Sequence, residues 1–194
     1  ALLPVAQKNS GRVLAAASAI WNAGKLEEKQ LAAFLAGLSR DPGDVRTLLL
    51  KWLEESNDPT VLQDLAVHTC PPLRAANTLL FRADIRTWIE AREPPRRRFG
   101  WMALRAWAGE KTSDSIFSAF ELLPMIFTET DPETMRLASD LLLRLADDSP
   151  QETQGWLSEL TPKQLHQGWR FLRMTVNQLP VELAAFLRSL LQAD

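Results

Sequence analysis

Apolar positions recur along nearly the whole chain at the i, i+3, i+4 spacing of an amphipathic helix, and no sustained apolar/polar alternation marks a strand. Val13, Leu14, Ala17, Ile20 and Trp21 make a first stripe, and Leu31, Phe34, Leu35 and Leu38 make a second after a break at Ala23-Gly24. The two are expected to pack as an antiparallel pair. Val45, Leu48, Leu49, Trp52 and Leu53 form a third stripe and Val61, Leu62, Leu65 and Ala66 a fourth, with Pro71-Pro72 expected to close that second pair. Residues 73–91 read as one helix with Phe81, Ile85, Trp88 and Ile89 inward. After Pro94-Pro95 a returning helix over 96–108 turns Phe99, Met102, Ala103, Ala106 and Trp107 to the core. Ile116, Phe117, Phe120 and Leu123 follow, then a break at Pro124 and a helix after Asp131 carrying Met135, Ala138, Leu141, Leu142 and Leu145. Further helices are expected near 150–158, 162–177 and 180–191.

One punctuation recurs. A capping residue stands before proline at Asp41-Pro42, Asp58-Pro59, Asp131-Pro132, Ser149-Pro150 and Thr161-Pro162. Each places an oxygen over the orphan amides of a helix start and a pre-set φ in its first turn. Ser149 with Glu152, and Thr161 with Gln164, have the spacing of capping boxes. Short, capped, closely spaced helices predict an all-α fold of HEAT-like stacked antiparallel hairpins forming a curved solenoid, rather than a four-helix bundle of longer helices. No exact sequence repeat supports this, so the expectation rests on element and connector lengths.

A chain of 194 residues with 46% hydrophobic content can bury a substantial core, and a single domain over 1–194 is expected. The formal charge of −2 argues against gross attraction to nucleic acid, so any DNA contact must come from locally concentrated arginine. A single cysteine, Cys70, excludes an internal disulfide and fits a cytoplasmic, reducing setting. No apolar run reaches the roughly 20 residues that span a bilayer, and no membrane association is expected. Val13 to Ile20 looks like a signal-peptide core but continues as an amphipathic helix through Trp21, and is read as structure.

The densest charge of one sign lies between Arg92 and Trp107. On a wheel of about 100° per residue, Arg97, Arg98, Trp101 and Arg105 gather opposite the core side. With Arg96 they could neutralise phosphates and lay a ring against a base or sugar. The alternative is a solvated basic face with Trp101 buried under a neighbouring helix. Asp64 is the carboxylate of interest, because its helix turns Val61, Leu62, Leu65 and Ala66 inward and leaves Asp64 with Thr60 on the polar face. It is either one more solvated acid or, if that face shares a groove with Arg97 and Arg98, a carboxylate able to stabilise developing positive charge. His68 and Cys70 are close in sequence, but with only 2 histidines in the chain neither a zinc site nor any other metal is expected. Cys70 beside Pro71 reads as structural. No phosphate loop, HExxH or GxSxG is present, and no cofactor is expected.

Several of these residues together resemble a known family. Ala19-Ile-Trp-Asn-Ala-Gly-Lys-Leu-Glu-Glu28 with Leu31-Ala-Ala33, Lys51-Trp-Leu53 followed by Asp64, Trp88 leading into Arg97-Arg98, and Ala138 through Leu143-Arg144 are similar to the AlkD-like DNA alkylation repair proteins. The resemblance covers roughly residues 12–157. It implies a HEAT-like array that grips duplex DNA, alkylated duplex included, with a cleft of tryptophans, an aspartate and an arginine for nucleotides whose base is cationic. Asp64 matches the family's catalytic aspartate, and Arg97 or Arg98 its DNA-contacting arginine. The rings do not match: the family's tryptophan one turn before the aspartate falls at Thr60, a later one at about Leu141, and an aromatic before the paired arginines at Pro94 or Pro95. Their loss removes the surface that would face a cationic base.

The sequence therefore predicts a DNA-binding helical-repeat protein centred on Arg96, Arg97, Arg98, Trp101 and Arg105. The resemblance adds a glycosylase reading, release of 3-methyladenine or 7-methylguanine with Asp64 stabilising the sugar cation. The alternative is a non-catalytic scaffold that presents a groove to a protein partner. On the DNA reading, Arg97→Ala with Arg98→Ala is expected to weaken duplex binding without lowering the melting temperature.

Overall fold

The computed structural model describes residues 9–192, so the two ends of the expected 1–194 domain lie outside it. The described residues are helical throughout, with no strand among them, and the chain is all-α as its periodicity dictates. Among the described residues contacts gather in two compact units, divided between Ala106 and Trp107. The first contains α1 (Ser10–Ala23), α2 (Leu26–Gly37), α3 (Pro42–Glu55), α4 (Pro59–His68), α5 (Cys70–Ala76), α6 (Thr78–Ile89) and most of α7 (Pro94–Ala108). The second contains α8 (Ser113–Leu122), a 3₁₀ segment (Leu123–Thr128), α9 (Pro132–Asp148), α10 (Pro150–Glu159), α11 (Pro162–Thr175) and α12 (Val181–Gln192).

The capping residues set the helix starts. Asp41 accepts from the Asp44 amide at 3.1 Å, Asp58 from Thr60 at 2.8 Å, Asp131 from Thr134 at 3.0 Å and Thr161 from Gln164 at 3.3 Å. Each such cap is worth about 1 kcal/mol. The Ser149 box does not form. Ser149 also ends α9, its amide donating to the Leu145 carbonyl at 2.7 Å, and it is buried there with φ −146°. The proline pairs also act otherwise than expected. Pro71-Pro72 lie in the first turn of α5, and Pro94-Pro95 begin α7, because a missing N–H costs nothing where no intrahelical acceptor exists. The helix expected over 73–91 is accordingly two, divided at Asn77, whose side chain accepts from the Leu80 amide at 2.9 Å and caps α6.

In the first unit, side-chain bonds join helices two or three apart in the chain. Trp21 on α1 donates to Glu55 on α3 at 2.7 Å, and Gln30 on α2 donates to Asp64 on α4 at 2.6 Å; both pairs are 34 residues apart. Arg46 on α3 clasps Asp84 on α6 through Nε at 2.9 Å and Nη2 at 2.6 Å, 38 residues on, and Arg105 on α7 reaches Gln63 on α4 over 42. These long-range bonds tie helices that are distant in sequence to one another within the first unit. Trp21 also stacks on Trp52 with centroids 4.5 Å apart, under the Lys29 ammonium at 5.2 Å; such a pair adds about 0.5–1.5 kcal/mol to its burial.

Two helices reverse the expected face. α2 buries Ala32, Ala33 and Ala36 and leaves Leu31 and Phe34 exposed. Small residues allow close approach to α1 and α4, and Gly37 lies against the His68 backbone, where no Cβ fits. α8 likewise buries Ser115, Ser118, Ala119 and Leu122, leaving Phe117 64% exposed. Ile116, Phe117 and Phe120 line, with Trp156 and Gly155 of α10, a groove of about 640 Å³ whose rim carries Glu121, Glu152 and Glu159. On α11, Leu165, Gly168, Phe171 and Leu172 face inward. A Cβ on Gly168 would stand 2.7 Å from the Phe127 ring, so glycine sets that close contact.

Candidate nucleic-acid interface

α7 is enclosed on most sides. Besides Phe99, Met102, Ala103 and Trp107, it buries Trp101, Leu104 and Ala108. Gly100 permits this: a Cβ there would come within 2.8 Å of the Ile89 amide nitrogen, so α7 lies directly on the end of α6. Trp88 meets Phe99 edge-on at 4.9 Å across the same contact. Trp101 is 1% exposed. The wheel placed it on the arc of the arginines with its exposure open, and the structure takes the alternative in which it is buried, since a helix covered on several sides buries its largest ring whatever the arc.

The arginines of α7 are engaged within the protein. Arg97 donates through Nη1 to the carbonyls of Arg92 at 2.6 Å and Ala91 at 3.2 Å, tying down the turn from α6 into α7. Arg96 stands 3.6 Å from Glu54 on α3, an exposed pair worth at most about 1 kcal/mol. Arg98 is half-buried and also holds a partner. Arg105, half-buried, donates to Gln63 at 2.7 Å. A guanidinium has five N–H donors, so these bonds orient the groups without using every donor.

α4 divides its polar face between two neighbours. Gln63 turns to α7 and accepts from Arg105, while Asp64 turns to α2 and accepts from Gln30. No cation pairs with Asp64 among the described residues; its partner is a neutral amide. The arginine nearest in the bonding pattern is Arg105, attached one residue away, rather than Arg97 or Arg98. Thr60 is exposed one turn before Asp64, and no ring stands at that position. The expected grouping is thus realised in part: α4 and α7 are joined, with Asp64 directed to a third helix.

Cys70 is buried, and desolvation pushes its thiol up to about 12. It stays protonated and is no nucleophile. The hydrogen bond to Asp84 raises Arg46 further above the ordinary guanidinium value against the opposing effect of burial. That clasp is structural, holding α3 to α6.

Tryptophan provides the clearest surprise. Of the 7 in the chain, Trp21, Trp52, Trp88, Trp101, Trp107 and Trp156 are buried, whereas Trp169 on α11 is 42% exposed. The Arg173 guanidinium lies 5.8 Å from its ring centroid. Lys163, His166, Arg170 and Arg173 are exposed along the same helix. Their i, i+3, i+7, i+10 spacing, with Leu165, Phe171 and Leu172 opposite, is a sequence signal that could have found this face.

The first unit thus defines a class: an all-α protein whose helices are cross-linked by polar side chains distant in sequence, with Gln63 and Asp64, successive residues of α4, bonded to α7 and α2. Residues 4–157 match the model of a family described as DNA alkylation repair enzyme, and the chain belongs to that family. Its role accordingly lies in DNA repair. No curated protein and no solved structure matches the chain. Within the matched residues Trp21 and Trp52 are buried and stacked, packing α1 on α3. Among the described residues no helix is long and apolar enough to cross a membrane.

Proposed function

We propose that this protein binds duplex DNA, alkylated duplex included, along a HEAT-like array through Arg96, Arg97, Arg98 and Arg105, and that Asp64 supports release of cationic bases such as 3-methyladenine or 7-methylguanine. The observation that carries this reading is the Arg105–Gln63 bond at 2.7 Å, which fixes a basic helix one residue from the carboxylate. An alkylated base leaves readily because it already bears positive charge, so the demand on the protein is stabilisation of a sugar cation. A carboxylate held by one amide meets it without a strong acid. Trp101, buried, has no part in ring contact here, and the absence of a ring at Thr60 makes tight capture of the base weaker than in relatives that have one.

The test is base release under single-turnover conditions with protein in excess over a duplex carrying 7-methylguanine. Wild type should release the base, and Asp64→Asn should slow release by about a hundredfold, the scale of one lost electrostatic contact in a reacting site. No release by wild type removes the catalytic half and leaves duplex binding, which Arg105→Gln should weaken.

The groove between α8 and α10 favours a second reading, a scaffold that docks a protein segment. Its apolar floor and the Glu152 and Glu159 at its rim, which pair with no cation among the described residues, suit a helix with aliphatic anchors flanked by lysines. Such a peptide should bind wild type in calorimetry and lose affinity for Phe117→Glu. Equal binding to both, or none, would exclude the groove as its site.

A further inference from the structure

From α11 we infer a separate nucleic-acid contact: Lys163, Arg170 and Arg173 take successive phosphates of an unstacked strand, and Trp169 stacks one of its bases. The inference rests on the DNA reading only for its choice of ligand, since the residues belong to the second unit and lie beyond the family match. α11 turns Leu165, Gly168, Phe171, Leu172 and Thr175 to the core, which directs Lys163, His166, Arg170 and Arg173 along one outer stripe. At about 1.5 Å per residue the stripe is about 15 Å long, enough for several phosphates of one strand. No carboxylate pairs with Lys163, Arg170 or Arg173 among the described residues. This is unusual in a chain of net charge −2 with 24 acidic residues, where exposed cations readily find partners.

The aromatic component selects the ligand. Trp169 is 42% exposed with the Arg173 guanidinium over one side of its ring, and a hollow of about 390 Å³ lined by Leu165, His166, Trp169 and Leu191 adjoins it. A base in an intact duplex cannot enter such a hollow, whereas an unstacked base offers a flat face to the indole and its phosphates to the stripe. A single strand, or a duplex with a short gap, is therefore the preferred ligand. An anionic membrane could attract the cations too, but it would leave the ring-sized recess without use.

The experiment is a binding titration of the full chain with a thymidine 12-mer, a gapped duplex and an intact duplex, each at two salt concentrations. It compares wild type, the triple variant Lys163→Ala, Arg170→Ala, Arg173→Ala, the single variant Trp169→Ala, and Arg105→Gln on α7. The triple variant should lose at least about tenfold in affinity for the single strand, and its log K against log salt slope should fall by about 2, the value for three phosphate contacts. Trp169→Ala should lose about tenfold with its slope unchanged. Single-strand binding and slope unchanged in the triple variant would overturn the inference while leaving the DNA reading of α4 and α7 to Arg105→Gln. Loss only in the α11 variants would sustain it against that reading, and no nucleic-acid binding by wild type would overturn both. Binding to phosphatidylserine vesicles in place of DNA, lost in the triple variant, would assign the stripe to a membrane surface and overturn it as well.

Discussion

α7 and α11 are both basic, both amphipathic and both carry a tryptophan on the arc that holds their cations, yet they end in opposite roles. On α7 the guanidinium groups turn back to carbonyls, a glutamate and a glutamine, and Trp101 is buried. On α11 the cations have no acidic partner among the described residues and Trp169 is open. The difference lies in the surroundings. Gly100 brings α7 against the end of α6, and α3 and α4 offer Glu54 and Gln63 to Arg96 and Arg105, whereas the glycine of α11, Gly168, faces inward to Phe127 and the outer arc stays exposed. Density of arginine in a sequence measures attraction; availability depends on what the fold brings near it.

The two tryptophans give the sharpest test. Trp101→Ala removes a fully buried ring and should cost about 3–5 kcal/mol, whereas Trp169→Ala should change stability by about 0.5 kcal/mol or less. Urea unfolding followed by circular dichroism reads both as a shift in midpoint at constant slope. Similar values for the two would erase the distinction between the helices. Gly100→Ala comes next. Its Cβ meets backbone, which cannot rotate aside, so α7 must lift from α6 at a cost of about 1–3 kcal/mol.

The helix starts could be read from sequence because their causes are local: an oxygen before a proline caps the same turn wherever the helix goes. Stripes such as Val61, Leu62, Leu65 and Ala66, all buried, were equally readable, since the opposite arc is polar. α2 was not, because Leu31, Ala32, Ala33, Phe34, Leu35 and Ala36 leave no polar side to fix the phase. Close packing then selected alanine, a choice made by the neighbours. The family likeness was readable in Trp21, Trp52 and Asp64. The pairing of Asp64 with Gln30 was not, because it spans 34 residues and needs the stacking of α2 on α4. The burial of Trp101 stayed open because a wheel shows the arc of a residue and not how many sides of the helix are covered. Lys163, His166, Arg170 and Arg173 passed unnoticed because they are spread over three turns among polar neighbours, whereas Arg96-Arg97-Arg98 are contiguous.

Arg97 sharpens the comparison from the side of charge. It was expected to be removable without effect on melting. Its two bonds to the carbonyls of Ala91 and Arg92 change that. Arg97→Ala should lower stability by about 1–3 kcal/mol, the range for hydrogen bonds to a charged group, while Arg170→Ala should move it by about 0.5 kcal/mol or less. Thermal melts of the two single variants make the comparison directly. A neutral Arg97→Ala would mean that the turn into α7 holds without it, and would return that side chain to the candidates for phosphate contact.

The smallest effect concerns Lys111, just past the end of α7, a cation paired with a carboxylate, as Lys163, Arg170 and Arg173 of α11 are not among the described residues. It donates to Asp148 at 2.7 Å, and this bond, reinforced by attraction to Lys111 and Arg144, holds the Asp148 carboxyl below its ordinary value. A carboxyl depressed in the folded state contributes stability above its unfolded value and loses it as pH falls through the folded one. The contribution should therefore be constant at neutral pH and fade only on acidification below the usual carboxylate range. Both groups are solvent-accessible, so added salt should weaken it. In a carboxyl titration followed by NMR, Lys111→Met should move Asp148 upward toward its ordinary value, and Arg170→Ala should leave it where it is. An unmoved Asp148 in Lys111→Met would show that the pair does not persist in solution, and that the cation after α7 lacks a carboxylate partner there as those on α11 do among the described residues.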